Sequence, residues 1–492
     1  MKLSLIIILC LVFVFSACSG GDTAVANTTN NADETIETVI EETTATPYNA
    51  HLPDMDFDGT DIRILNMDVE SMWWTLVQLD SEKEDGDVIN DAIYKRNLTI
   101  EEKYNLNINE IRIPAGNIIS SVSNSVQAGS DDYDLVTPHS YNINSLAQQG
   151  MLYDMKSLPY IDFDKPWWGN SGTDFSISGK VYFAISDFLL SDKENVAIMM
   201  YNKKIADDLG LATDTELYNL VNDGKWTLDV FLQMVESASA DLNGNGTPDV
   251  DDRYGLMTAD WWSYPSLMAL SGEQFVTKDA NDIPKFTANN ERFINVYDKI
   301  LSFMDNRNLV VRQYIEFAKN FNRDEWGIMF TNDKALFCNE VLSCVRLYKE
   351  MESDFAVVPM PKFDDKQEKY YSYSVWATAM GIPLTVKEPD KVAFAVEALS
   401  ALSRESVIPA YYEVAIAVKY LRDDMSFKML DIIIENKITD ILHVVYDWGG
   451  FDTTFKNYAA DGKTDLVSLF EQNESKINSA IEKTIETYQQ IQ

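Results

Sequence analysis

DIRILNM (61–67), INEIRI (108–113) and YDLVTP (133–138) are the runs whose reading decides the fold. Each is short and apolar, with β-branched residues and turn signals at its ends, which marks a strand. Between the first two, residues 88–104 repeat apolar side chains at helical spacing, and 118–127 do the same between the second and third. The alternation makes βαβ units, whose strands lie parallel in one sheet with helices on its faces. In such a sheet a ligand sits beyond the carboxyl ends of the strands. Here those ends run into Ser71, Met72, Trp73 and Trp74, and into His139, Ser140 and Tyr141, so aromatic and hydroxyl groups stand where ligands go. A short helix is expected at 144–149.

The chain of 492 residues is 46% hydrophobic, with 10 Trp, 24 Tyr and 23 Phe, enough to bury a sizeable core. Forty basic residues against 78 acidic ones leave a net charge of −38. That field repels phosphate backbones and anionic lipid, which argues against nucleic-acid binding and against membrane binding by charge. Four cysteines are too few for a disulfide scaffold. Cys338 and Cys344 lie in a stretch of helical character that sets them on different faces, so two buried thiols are expected rather than a bridge.

Residues 1–17 hold Lys2, an apolar run from Leu3 to Phe15, and then Ser16 and Ala17 before Cys18. The run is shorter than the ~20 residues a membrane-spanning helix needs, and it reads as a signal peptide. FSAC (15–18) resembles a lipobox, which makes Cys18 the site of lipidation and anchors the protein on the outer face of a bacterial membrane. Residues 18–54 continue as anchor and tether. From 19 to about 50 they are rich in Thr, Asn, Ala and Glu, with six acids and no Lys or Arg, a composition that cannot pack a core. A flexible segment of about 30 residues spans on the order of 30 Å.

DLNGNGTPDVDD (241–252) has the spacing of a twelve-residue Ca²⁺ loop. Asp241, Asn243 and Asn245 alternate, Gly246 permits the sharp turn, Thr247 offers its carbonyl, and Asp249 and Asp252 follow. A hard cation wants six to eight oxygens, and alternate residues on a curled backbone point them inward. The last ligand is Asp, whose reach is shorter than that of Glu, and Asp249 and Asp252 share the closing role. The pattern occurs once, between a helix at 226–240 and a strand at 253–258, as suits a structural clip rather than a switch.

Several further stretches carry a family resemblance: LAQQGMLYDM (146–155), GKVYFAISDF (179–188) as a strand heading for a hinge, MMYNKKIADDLGL (199–211), WTLDVFLQMVESA (226–238), GIMFTNDKALFCNEV (327–341) and DFAVVPMPKFDDKQEKYYS (354–372). Together with the YDLV strand they make the chain similar to the extracellular solute-binding proteins of ABC importers, family 1, the maltose-binding type. The resemblance implies a type II periplasmic-binding fold: two discontinuous α/β lobes joined by a hinge, with the ligand in the interlobe cleft. It places the first lobe at 55–190 and 355–405 and the second at 191–354 and 406–492. It also implies a monomeric receptor that passes a carbohydrate, or another small polar solute, to the permease subunits of an ABC transporter.

Trp73 and Trp74, Trp167 and Trp168, and Trp261 and Trp262 are adjacent pairs. Neighbouring side chains diverge on a strand or a helix, so one ring of each pair is expected to face solvent or a cleft. A flat indole with an N–H suits a sugar ring. Trp73, Trp74, Trp261 and Trp262 follow predicted strands and are candidates for ligand contact. Trp376 near a return crossing, Trp448 in YDWGGFD, Asp187 as a hydroxyl acceptor and His139 join them. The competing class is a secreted glycan-degrading enzyme. No HExxH, GxSxG, Walker or GxGxxG pattern occurs, and His51, His139 and His443 are far apart, so binding without catalysis is expected.

Overall fold

A computed structural model describes residues 50–490 apart from 260–261, 314–325, 376, 413–420 and 422. The leader, Cys18, most of the tether, Trp261 and Trp376 therefore lie outside the described residues.

The first sheet is built as the apolar runs require. β1 (Thr60–Met67) pairs in parallel with β2 (Leu106–Ile113) and with β3 (Leu135–Thr137), giving the order β2-β1-β3. α1 (Val88–Tyr104) starts where the Asp87 side chain accepts from the backbone N–H groups of Ile89 and Asn90. It stops at Asn105, in the left-handed region at φ 50°, and the next residue opens β2. α2 (Ile118–Gln127) and α3 (Ser140–Gln148) complete the module, α3 beginning directly beyond β3. Single antiparallel bridges from Gly381 to Val136, Pro383 to Leu152 and Met380 to Ala184 add a returning segment to this sheet. α7 (Pro389–Glu405), numbered in chain order with the helices below, packs against α1 and buries Val392, Phe394 and Val396 with Ile62 and Ile64.

The second sheet has five strands. β4 (Ala197–Asn202), β5 (Tyr254–Thr258), β6 (Val310–Arg312), β7 (Ala335–Val341) and β8 (Phe355–Val358) lie in the order β8-β4-β7-β5-β6. β4 is antiparallel to both of its neighbours, and β5 is parallel to β6 and β7. α5 (Leu228–Ala238) lies on β5, α6 (Ser263–Ala269) follows it, and α8 (Asp424–Glu435) covers β8. Between the sheets run one helical turn, α4 (Ser191–Glu194), and a short parallel pair, β9 (Ser372–Tyr373) with β10 (Lys437–Ile438). The long α9 (Leu466–Gln490) closes the described chain.

Three expectations change. Residues 355–358 hydrogen-bond to β4 in the second sheet, so the return to the first sheet comes after 372 and not at 355. Residues 179–188 form no regular strand: single bridges, Ile177 to Lys180 and Ala184 to Met380, replace a ladder as the chain bends toward the crossing. Cys338 sits in β7 and Cys344 in the 3₁₀ segment Leu342–Tyr348, not in one helix. Both thiols are buried and free, and burial pushes both well above their usual range.

Candidate functional site

Two stretches cross between the sheets and hold each other. Val196 bridges Ser374, the Val375 N–H donates to the Asn195 carbonyl at 2.8 Å, and the Thr378 N–H donates to Ser191 Oγ at 3.0 Å. At the carboxyl ends of β1 and β3, the two predicted aromatic segments meet. Trp73 and Trp74 pack edge to face with centroids 5.9 Å apart; Trp74 and His139 lie nearly parallel at 6.3 Å; His139 and Tyr141 follow at 5.2 Å. This row exists because β1 and β3 are neighbours, which brings residues some 65 positions apart in sequence to one edge.

Glu194, at the end of the α4 turn, ties that edge to the crossing. It accepts from Thr75 Oγ1 at 2.8 Å and from the Leu76 N–H, while Arg346 Nη1 lies at 3.4 Å. Burial pushes the Glu194 carboxyl up, and Arg346 together with these donors opposes the shift. Arg346 Nη2 also donates to the Trp73 carbonyl at 2.9 Å, so a side chain just beyond β7 grips the loop just beyond β1. Between them lies a cavity of about 330 Å³ whose lining includes Trp73, Gln78, Asn90, Glu194, Arg346 and Tyr411. An indole, amides and one ion pair around such a volume suit an uncharged, hydrogen-bonding ligand.

The 241–252 loop closes on itself through the oxygens named as ligands. Asp241 accepts from the Gly244 and Gly246 N–H groups, at 2.7 and 2.8 Å. Asn243 and Asn245 accept from the N–H two residues on and turn their amides toward Asp249. Gly246 has φ +72°, as the sharp turn requires. Asp252 is buried and holds the Leu242 and Asp249 N–H groups, so it fastens the two ends together, while Asp249 faces the asparagines. Carboxylate and amide oxygens are the donor type a hard cation takes, though among the described residues no three acidic, His or Cys side chains stand together as a metal site.

No family model matches the chain, and no curated protein matches it in sequence. Solved structures do match over nearly the whole body. An ABC substrate-binding protein from Listeria monocytogenes in complex with cycloalternan superposes with a TM-score of 0.55 at 12% identity, covering 86% of this chain and 100% of its own. The cyclic alpha-maltosyl-1,6-maltose binding protein from Arthrobacter globiformis gives 0.56 at 12%, over 86% and 99%. A cyclo/maltodextrin-binding protein complexed with maltotetraose gives 0.54 at 14%, over 88% and 98%. The fold is that of the ABC substrate-binding proteins. The three-stranded and five-stranded sheets, with the crossings held by the Val196–Ser374 and Val375–Asn195 contacts, are consistent with this two-lobed type II periplasmic-binding fold.

Within the binding-protein fold the other predicted residues fall elsewhere. Asp187 is buried, with Arg404 Nη1 at 2.8 Å and Lys193 Nζ at 3.1 Å, so its carboxylate neutralises two cations instead of waiting for a hydroxyl. Trp448 is buried against Tyr446 at 4.4 Å and donates to Thr484 Oγ1 at 2.9 Å; it is core. Trp262 is core as well. The expectation that one ring of each pair is exposed fails at Trp167 and Trp168, both 1% exposed. A single carboxylate makes this possible, because Glu397 on α7 accepts from both indole N–H groups, at 3.0 and 2.8 Å. Arg346, Glu194 and Tyr411 escaped sequence reasoning, since no local pattern announces a residue whose partners lie more than a hundred positions away.

Proposed function

We propose that the protein is a receptor that binds a carbohydrate between its two lobes and delivers it, unaltered, to an ABC permease. The observation that carries this reading is the aromatic row Trp73–Trp74–His139–Tyr141, whose first ring lines a cavity of mixed apolar and polar character between the β1 edge and the segment after β7. The flat rings match the C–H faces of sugars, and the amides and Arg346 match their hydroxyls. The likeness to proteins seen with cycloalternan and maltotetraose supports the same class. A solute that touches both lobes favours their approach, and the permease reads the closed shape.

Lipidation at Cys18 keeps this receptor at the outer face of the membrane, with residues 18–54 as its anchor and tether. Ca²⁺ held by Asp241, Asn243, Asn245, the Thr247 carbonyl, Asp249 and Asp252 clips α5 to β5 at the far side of the second lobe from the hinge residues. Neither step involves bond-breaking in the solute.

Titration calorimetry of the mature protein against neutral oligosaccharides tests the reading. Saturable binding with a micromolar or lower Kd is expected, with no new reducing ends after prolonged incubation. Hydrolysis of the bound glycan, or no binding of any saccharide, overturns it.

A further inference from the structure

Gln78 and Asn90, on the wall of the cavity beside Trp73, also line a second cavity of about 420 Å³. This second space lies at the carboxyl end of β2 and along the loop that leads into α1. Its walls carry the carboxylates of Asp80, Glu82, Asp85 and Glu110, with Lys83 and Arg112 as the cations. Glu82, Lys83 and Asp85 are exposed, so the hollow opens to solvent along the loop and a solute can enter it.

The seam between the two cavities is polar and fixed. Gln78 Nε2 donates to Asn90 Oδ1 at 3.1 Å and to the Asp80 carbonyl at 3.0 Å. Ser81 Oγ donates to the same Asn90 oxygen at 2.6 Å, and Asn90 Nδ2 donates to the Lys83 carbonyl at 2.9 Å. The bonds of Gln78 run through its nitrogen, which leaves Oε1 as an acceptor at the seam. The floor is held as firmly: Glu110 accepts from the Asp80 N–H at 3.0 Å and from Arg112 Nη2 at 2.6 Å. Asp80 gives one oxygen to Asn97 at 2.8 Å and Asp85 gives one to the Asp87 N–H at 2.9 Å; the second oxygen of each is left for a ligand.

These groups set both the length and the charge of what fits. At about 330 Å³ the first cavity is near the lower end of the ~300–1,000 Å³ that small-ligand sites span, whereas the two joined lie well inside that range. Carboxylates accept hydroxyl protons and repel another carboxylate. We propose that the solute site continues from Trp73 past Gln78 and Asn90 into the acid-rich hollow, and that its ligand is a linear, non-acidic oligosaccharide longer than a disaccharide. This rests on the carbohydrate-receptor reading above. One end of the chain lies by the Trp73 indole, a middle ring gives a hydroxyl to Gln78 Oε1, and the far end gives hydroxyls to Asp80 and Asp85.

The test is calorimetry on the mature protein with linear series, disaccharide to hexasaccharide, of glucose, mannose and xylose, beside oligogalacturonates of the same lengths. In a neutral series that binds, Kd is expected to fall ten-fold or more from disaccharide to pentasaccharide, with no such gain among the galacturonates. In the Glu82→Ala/Asp85→Ala double variant the pentasaccharide Kd is expected to rise five-fold or more while the disaccharide Kd stays within two-fold, a split that misfolding would not give. A Kd independent of chain length, an equal gain for the galacturonates, or a double variant that leaves the pentasaccharide unchanged or weakens both sugars alike each overturns the extension while leaving the receptor reading standing. Failure of every saccharide to bind overturns both.

Discussion

Glu397 shows how one side chain settles the place of two others. Its carboxylate stands between the Trp167 and Trp168 indoles with no cation among its bonded partners, and burial pushes it up to about 7, opposed by the two N–H bonds. Glu340 and Asp440 are also pushed up to about 7 by burial. A carboxyl whose folded pKa lies above its unfolded value adds stability that is complete below the unfolded pKa and is lost as pH rises through the folded one. The melting temperature should therefore fall between about pH 5 and pH 8, as thermal melts across that range will show. On the acid side the trend reverses: burial works against it, but His443 and Lys456 hold the Asp452 carboxyl below its usual range, so its contribution is complete above the normal aspartate pKa and is lost as pH falls through the lowered one. Glu397→Gln keeps one good acceptor and leaves one indole N–H facing an amide nitrogen. It should cost about 1–3 kcal/mol near pH 5 and flatten the fall toward pH 8.

At the scale of elements, α5 and β5 approach each other closely at Gly255. A Cβ on Gly255 would lie 2.2 Å from the Val235 carbonyl oxygen and 2.5 Å from its Cα, both backbone atoms that cannot swing aside. Gly255→Ala should lower stability by about 1–3 kcal/mol or more through overpacking, measured by denaturant unfolding. The same two elements are joined by the 241–252 loop, so Ca²⁺ binding there and the α5–β5 packing should support each other. Excess chelator is expected to lower the melting temperature by several degrees, and Asp241→Ala to remove that response. A melt insensitive to chelator, with no metal in the purified protein, would exclude the clip. Element boundaries were largely legible in the residues: α1 and α2 run as the apolar spacing predicts, because each has one clear buried face and, for α1, a capping Asp and a left-handed Asn. α3 starts at Ser140, four positions earlier than expected, because its first turn is held by tertiary partners: Ser140 Oγ and Asn144 Nδ2 donate to the Val444 and Val445 carbonyls.

For the whole molecule the proposed function asks how two lobes would share one solute. Arg346 joins them directly, from the segment after β7 to the Trp73 carbonyl and Glu194. Removing it with Arg346→Ala should loosen the relation between the lobes. Small-angle scattering is expected to show a larger radius of gyration without sugar, and calorimetry an affinity about five- to ten-fold weaker, since part of the binding energy then goes to drawing the lobes together. Unchanged scattering and affinity would mean that Arg346 merely fills space.

Patterns that depend on near neighbours were determined by the sequence alone: the βαβ units, the helical stripes, the oxygen spacing of 241–252, and the aromatic and hydroxyl groups after β1 and β3. Each follows from backbone periodicity or turn chemistry over a few residues. The tertiary structure alone decided which sheet takes 355–358, that Trp167 and Trp168 are buried together under Glu397, that Asp187 is spent on Arg404 and Lys193, and that Arg346 reaches Trp73. Those outcomes rest on partners tens to hundreds of positions apart, whose pairing is set by burial and charge neutralisation in three dimensions and leaves no periodic trace along the chain.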